Sequence, residues 1–261
     1  MNYENLLVEN KEGVCSITLN RPQVFNALNG GLLKELATVV NLAKVDKDIR
    51  VVLLTGSGEK AFCSGADLKE GAMNAGKPLG DTLKENYEPA IFAIRNCPKP
   101  VICKLNGVAA GAGMSLAIAC DLIIADENTY MSELFVGIGL MPDAGSMFFL
   151  PRIVGMQRAF EIFSTGRKIF MKEAFELGLV SKAVPTETLD DEVNKLLAYY
   201  KNAPTFAIGQ MKKVLNVSYG LKLSEVMDLE AYGQTKCGVS ADFAEGVTSF
   251  LQKRKPMFKG E

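Results

Sequence analysis

The sequence predicts an α/β fold in which strands and helices alternate, followed by a C-terminal region made of helices alone. Three observations carry that expectation. Short β-rich apolar runs alternate with stretches of helical periodicity through the first two-thirds of the 261 residues, which argues for parallel strands. Turns built of small residues stand at the strand-to-helix junctions. After Val184-Pro185 the strand patterns stop and only helical stripes follow.

Taken in order, Val14-Cys15-Ser16-Ile17-Thr18-Leu19 is rich in β-formers, and Asn20-Arg21-Pro22 ends it. Leu32, Leu36, Val39, Val40 and Ala43 then recur at spacings of three and four, which places them on one helical face. The run Val51-Val52-Leu53-Leu54-Thr55 reads as a strand and leads to the turn Phe62-Cys63-Ser64-Gly65-Ala66-Asp67-Leu68. The Gly/Lys-rich stretch from Gly71 to Gly80 reads as a mobile loop. A helix is expected from Asp81 to Asn96, stopped by Cys97-Pro98-Lys99-Pro100. The strand Val101-Ile102-Cys103-Lys104-Leu105 feeds a second turn, Asn106-Gly107-Val108-Ala109-Ala110-Gly111-Ala112-Gly113. A short helix and the strand Leu122-Ile123-Ile124-Ala125 come next, and a third turn spans residues 139–146 with the lone Asp143. Past residue 185, Leu189, Val193, Leu196, Leu197 and Tyr200 form one stripe, and Phe243, Val247, Phe250 and Leu251 another. The expected division is a core over residues 1–185 and a helical region over 186–261, whose apolar faces need the core or another subunit to cover them.

Composition narrows the chemistry. The hydrophobic share of 48% with 23% charged residues is that of an ordinary soluble protein. A net charge of −1 leaves no electrostatic footprint for nucleic acid or an anionic membrane. There is no histidine, which excludes Ser-His-Asp and Cys-His catalysis and any His-ligated metal. Acid/base work falls to carboxylates, then to Lys, Tyr or Cys. The six cysteines form no CxxC pair and read as buried, reduced thiols of a cytosolic protein. The opening residues lack a basic, then apolar leader, and no apolar run approaches a membrane span, so the expected location is cytoplasmic.

A strand that feeds a helix through small residues leaves backbone N–H groups free at the helix start. Two such turns side by side can hold one oxygen between two donors, and a nearby carboxylate would be a base for a substrate whose carbonyl sits there. Each candidate also has a plainer reading. Pro142-Asp143-Ala144-Gly145 is an ordinary turn signature, and the glycine triplet suits any tight junction. Asp67 fits a helix cap, Asp121 a structural hydrogen-bonding group, and Glu133, the nearest spare acid, a solvated loop.

These segments, with Leu19-Asn20-Arg21-Pro22 and Asn26-Ala27-Leu28, Ala174-Phe175-Glu176-Leu177-Gly178-Leu179-Val180 and Phe250-Leu251-Gln252-Lys253-Arg254-Lys255, resemble the crotonase superfamily (enoyl-CoA hydratase/isomerase family) over nearly the whole chain. The resemblance implies a spiral of ββα turns with a helical C-terminal trimerisation region, assembled as a homotrimer or dimer of trimers. It implies an acyl-CoA thioester as substrate, coenzyme A being part of that substrate, and no metal or redox cofactor. On the family's pattern the oxyanion donors are the N–H groups of Ala66 and Ala112, the latter an alanine where glycine is usual. Coenzyme A would lie along Ala66, Asp67, Leu68 and Lys69 with Val24 and Ser64 nearby, and Lys253 would contact the nucleotide phosphates.

Where family hydratases carry two glutamates this chain has Ser115 and Phe135. Asp143 stands eight residues beyond Phe135, where single-carboxylate isomerases carry their acid. Residues 139–146 look most like the epoxyphenylacetyl-CoA isomerases. The implied activity is isomerisation beside a thioester, moving a double bond or opening an epoxide ring, with Leu140, Met141 and Phe148 expected to desolvate the base. An enoyl-CoA hydratase drawing on Glu133 and a non-catalytic acyl-CoA-binding protein are the alternatives.

Overall fold

Strands β1 (Leu6–Lys11) and β2 (Val14–Leu19) pair as an antiparallel hairpin at the edge of the larger of two sheets. The computed structural model describes residues 3–73 and 76–261. From β2 onward the larger sheet is parallel: β3 (Val51–Gly56), β5 (Val101–Leu105), β7 (Leu122–Asp126) and β10 (Lys182–Val184) are added in that order. Strands β3 and β5 read as near-continuous apolar runs because both faces of the sheet are covered.

The smaller sheet has the order β4 (Ala61–Cys63), β6 (Val108–Ala110), β8 (Tyr130–Ser132), β9 (Ile169–Phe170). Its first three strands are parallel, with Cys63 opposite Ala109 and Ala110 opposite Ser132. Each follows a strand of the larger sheet in the chain, so every turn of the spiral contributes one strand to each sheet. These three-residue strands were not foreseen from sequence, being too short to show a period. Ligand sites in parallel sheets gather at the carboxyl ends of strands. Here those ends open onto residues 64–67, 111–112 and 133–135.

Helix α1 (Gly30–Val45) starts at Asn29, whose side chain accepts from the Leu32 N–H at 2.8 Å. All five residues of its predicted stripe are buried, against α4 and the large sheet. The Gly71 to Gly80 stretch is not simply a loop. Helix α2 (Leu68–Met73) runs into it and α3 (Leu79–Thr82) begins within it, while residues 74 and 75 lie outside the described residues. From α3 the backbone continues through a π-helical turn (Leu83–Tyr87) into α4 (Glu88–Asn96). Pro89 has no N–H to close the regular helical bond there, which accounts for the widened turn.

Helix α5 (Ala112–Ile118) is buried at every residue, and α6 (Ser146–Val154), α7 (Met156–Thr165) and α8 (Met171–Glu176) follow it. Helices α9 (Thr186–Lys201), α10 (Thr205–Ser218), α11 (Leu223–Gly238) and α12 (Ala241–Leu251) complete the chain. The first C-terminal stripe belongs to the core: Leu189, Val193 and Leu197 of α9 bury against Val51, Ile102 and Ile124. The second stays open, with Phe250 82% exposed. Asp121 ties α10 to the body of the fold, accepting from Lys212 Nζ at 2.6 Å, Arg95 Nη1 at 3.2 Å and the Val101 N–H at 2.8 Å. All six cysteines are free thiols, five of them buried.

Candidate active site

The first two turns lie against each other. Gly65 has φ +100°, and a Cβ there would stand 2.7 Å from the Ala110 carbonyl oxygen and 3.5 Å from the Ala112 nitrogen. A Cβ on Gly113 would collide with the Cys63 carbonyl. Only glycine at both places lets the end of β4 touch the start of α5. The turn before Ala66 is pinned to Leu28, whose N–H donates to the Gly65 carbonyl at 2.7 Å and whose carbonyl accepts from the Asp67 N–H at 2.9 Å. Gly111, at φ +51°, donates to the Ser132 carbonyl at 2.8 Å. The N–H groups of Ala66 and Ala112 make no such bond among the described residues. That leaves two adjacent donors open to one oxygen, the arrangement an oxyanion hole requires.

Asp143 is placed by the third turn and is half-buried. Its carbonyl accepts from the Ser146 N–H at 3.1 Å, which starts α6. Burial pushes its carboxyl up from 3.8 to about 6. Two neighbours connect it to the first two turns. Tyr87, from the π-helical turn, is buried and feels the charges of Asp143 and of Cys63, Glu70 and Asp67, and its hydroxyl is pushed up first by burial and then by them. Glu133, at the end of β8, is pushed well above the usual range by burial and then by the Asp143 charge. The side chains expected to desolvate Asp143 are themselves exposed, Leu140 at 39% and Phe148 at 45%. Met141 is 69% exposed, and Phe148 lines an apolar cavity of about 650 Å³ with Tyr87, Ile91, Ala144, Gly145 and Phe149. Ala144 and Gly145, which follow Asp143 in the chain, belong to its lining, and Asp143 does not.

Phe135 is 6% exposed, and its ring edge stands 3.7 Å from where a Gly111 Cβ would be, so it covers the Gly111 turn with hydrocarbon. Glu133 corrects the expectation of a solvated loop residue: it is 0% exposed, with Oε1 3.5 Å from Ser115 Oγ. Its neighbours Met131 and Phe135, both buried, were the sequence signal for burial. Tyr87 had no such signal, being one aromatic residue in a helical stretch.

The stretch assigned to coenzyme A is brought together in part. Ser64 Oγ stands 3.3 Å from the Val24 carbonyl, and its N–H donates to the Phe25 carbonyl at 3.0 Å. Leu68 and Lys69 are exposed at the start of α2. Asp67 is turned to structure: it pairs with Arg21 at 2.8 Å and accepts the Lys69 and Glu70 N–H groups at 3.2 and 3.4 Å. Lys253 follows α12 at φ +55° and is exposed. Among the described residues no group of three or more His, Cys, Asp or Glu is placed to hold a metal, and no helix is long and apolar enough to cross a membrane.

A spiral of two sheets whose small-residue turns meet between β4 and α5 defines the crotonase fold. The chain belongs to the enoyl-CoA hydratase/isomerase family, whose pattern it matches over residues 9–261. It is 42% identical to a probable enoyl-CoA hydratase of Rhodobacter capsulatus, each chain covered in full. It is 37% identical to the 1,2-epoxyphenylacetyl-CoA isomerase of Escherichia coli, with 99% of each covered. The crystal structure of an enoyl-CoA hydratase from Bacillus anthracis superimposes with a TM-score of 0.94 at 33% identity, over 99% of this chain and 100% of that one.

Proposed function

We propose that this enzyme is an acyl-CoA isomerase that uses Asp143 as its single base. The observation that carries the reading is one half-buried carboxylate beside two unengaged N–H groups, under a roof of Phe135 where the hydratase pattern has a glutamate. Moving a double bond from C3–C4 to C2–C3 of a thioester takes one proton from C2 and returns it at C4, which one base can do. The charge of the intermediate rests on the thioester oxygen, between the N–H groups of Ala66 and Ala112. A donor of this kind contributes about 3 kcal/mol to transition-state stabilisation. Epoxide opening next to the thioester uses the same enolate-stabilising hole.

Hydration would need a second carboxylate on a water, and the spare acid, Glu133, is fully enclosed. The apolar cavity lined by Tyr87, Phe148 and Phe149 suits a medium-length or aromatic acyl group. The reading asks for no metal or redox cofactor, and it places the enzyme in the cytoplasm, acting on a soluble thioester. The open apolar faces of α10 to α12, with Met211, Leu215, Val247 and Phe250 along a groove of about 1090 Å³, support a homotrimer or dimer of trimers. Light scattering on a sizing column would return a monomer mass if that is mistaken.

The deciding assay is conversion of a medium-chain 3-enoyl-CoA, and of 1,2-epoxyphenylacetyl-CoA, by wild type and Asp143→Asn. Turnover of either that falls at least ~10²-fold in the variant supports the reading. Turnover untouched by the substitution, or hydration of 2-enoyl-CoA as the main activity, would replace it.

A further inference from the structure

The turn that carries Ala66 is held by residues that no proton transfer uses. Leu28 and Ala66 form a parallel bridge. Leu28 makes both of its bonds, giving its N–H to the Gly65 carbonyl at 2.7 Å and taking the Asp67 N–H on its carbonyl at 2.9 Å. In a parallel pair the residue flanked in this way turns its own N–H and C=O to the opposite side. Where Leu28 lies therefore sets the direction of the Ala66 N–H. Leu28 is buried and Ala66 exposed, so the fixed partner is inside and the donor outside.

Arg21 spans the two segments of that bridge. Its Nη1 donates at 2.6 Å to the carbonyl of Ala27, the residue before Leu28, and its Nη2 at 2.8 Å to Oδ2 of Asp67, the residue after Ala66. A planar guanidinium holds its two nitrogens at a fixed separation, and so holds the two segments at one. The other oxygen of Asp67 accepts the N–H groups of Lys69 and Glu70 at the start of α2, which leaves the carboxylate no freedom to swing. Both partners of the pair are sheltered, their side chains 15% and 12% exposed. Bringing Ala27 back beside Arg21 takes a sharp reversal through two successive non-glycine residues in the left-handed region, Phe25 at φ +54° and Asn26 at φ +56°. Asn26 over-determines that strained turn: Oδ1 accepts the Arg21 N–H at 3.0 Å, and Nδ2 donates to the carbonyls of Ser57 and Ala61 at 3.0 and 2.9 Å.

We propose that Arg21 is the positioning residue of the oxyanion hole: through Ala27 and Asp67 it clamps the Leu28–Ala66 bridge and aims the Ala66 N–H at the thioester oxygen. The role rests on Ala66 being one of the two donors.

The test is the infrared carbonyl band of hexanoyl-CoA, ¹³C-labelled at the thioester carbon and bound to the whole protein. This saturated thioester has no double bond to move, and hydrogen bonds to its oxygen lower the band. The wild-type band should lie below that of the free thioester. Arg21→Met should return it part of the way, with kcat for the 3-enoyl-CoA down roughly 10–10²-fold and KM within about twofold, because a misaimed donor is felt most in the transition state. Arg21→Lys keeps the charge on a single nitrogen and should fall between the two. Asp67→Asn should shift the band as Arg21→Met does, and the double variant should do no more than either alone. Glu70→Ala removes a neighbouring tie that does not flank Ala66, the bond from the Gly30 N–H to Oε2 at 2.9 Å, and should leave the band in place. A wild-type band position in Arg21→Met, a loss confined to KM or to the melting temperature, or an equal shift in Glu70→Ala overturns the proposal. Should Arg21→Met fail to fold, the Arg21→Lys band decides by the same criterion. A wild-type band at the free position removes the donors themselves and the clamp with them. The band needs no turnover, so failure of the enzyme to isomerise either thioester would end the Asp143 reading while the clamp still stands or falls on the infrared result.

Discussion

Replacing Asp143 with asparagine should lower activity and raise stability at once, because one desolvated carboxylate is responsible for both. In the folded enzyme its carboxyl is pushed from 3.8 to about 6 by burial. About nine-tenths of it is ionised at pH 7 and about a tenth at pH 5, so kcat/KM should fall close to tenfold per pH unit below 6. Loss of the base should cost ~10²–10⁴-fold. The folded value lies above the unfolded one, so the protonated form favours folding. That stability is complete below pH ~4 and is lost as the pH rises through about 6. The full shift is equivalent to ~3 kcal/mol, and the partial exposure of the group reduces it to ~1–2 kcal/mol. Asp143→Asn escapes the charge burial and should melt about 2–6 °C above wild type at pH 8, with the gap closing toward pH 4. Unfolding and turnover measured on the same preparations would check this. Equal melting temperatures at pH 8, with a kcat/KM that is flat between pH 5 and 8, would refute the argument that Asp143 is a desolvated base.

Three further perturbations address other parts of the molecule. Gly113→Ala drives a methyl into the Cys63 carbonyl, so urea unfolding should show a loss of ~1–3 kcal/mol and turnover should drop at least ~10²-fold as Ala112 shifts. Lys212→Met leaves Asp121 with Arg95 as its one cationic partner among the described residues and removes the donor that the carbonyls of Ile94 and Lys99 share, and the same unfolding assay should show a loss of ~1–3 kcal/mol. Lys253→Ala should raise KM severalfold for a CoA thioester but not for the matching pantetheine thioester, since a contact to the nucleotide phosphates is sensed only by the former. Equal effects on both thioesters would remove Lys253 from the nucleotide site.

Long, strongly periodic elements were legible in the sequence. The stripe from Leu32 to Ala43 and the strands at Val14, Val51, Val101 and Leu122 lie where their patterns put them, because a buried helical face or strand must repeat at its own period. The two glycine turns were legible for a different reason. Only small residues permit the contact of Gly65 and Gly113 with the opposing backbone, and that need is written as glycine. The smaller sheet was not visible, since strands such as Ala61–Cys63 and Tyr130–Ser132 owe their pairing to neighbours far along the chain. The helix over residues 79–96 was foreseen within two residues, but its π-helical turn and the buried Tyr87 were not.

Sequence by itself thus determined the fold class, the family and the residue types from which a base could be drawn, because composition, period and glycine spacing are local properties of the chain. Absence of histidine and the replacement of two glutamates by Ser115 and Phe135 belong to that level as well. Tertiary structure alone decided which acids matter and how. Asp67 and Asp121 are neutralised by Arg21, Arg95 and Lys212, contacts formed across 46, 26 and 91 residues of chain. Glu133, polar in sequence and flanked by a turn, is fully buried beside Ser115. The physical reason is the same in each case: a carboxyl's charge state depends on the dielectric and the partners around it, and those are supplied by residues distant in sequence.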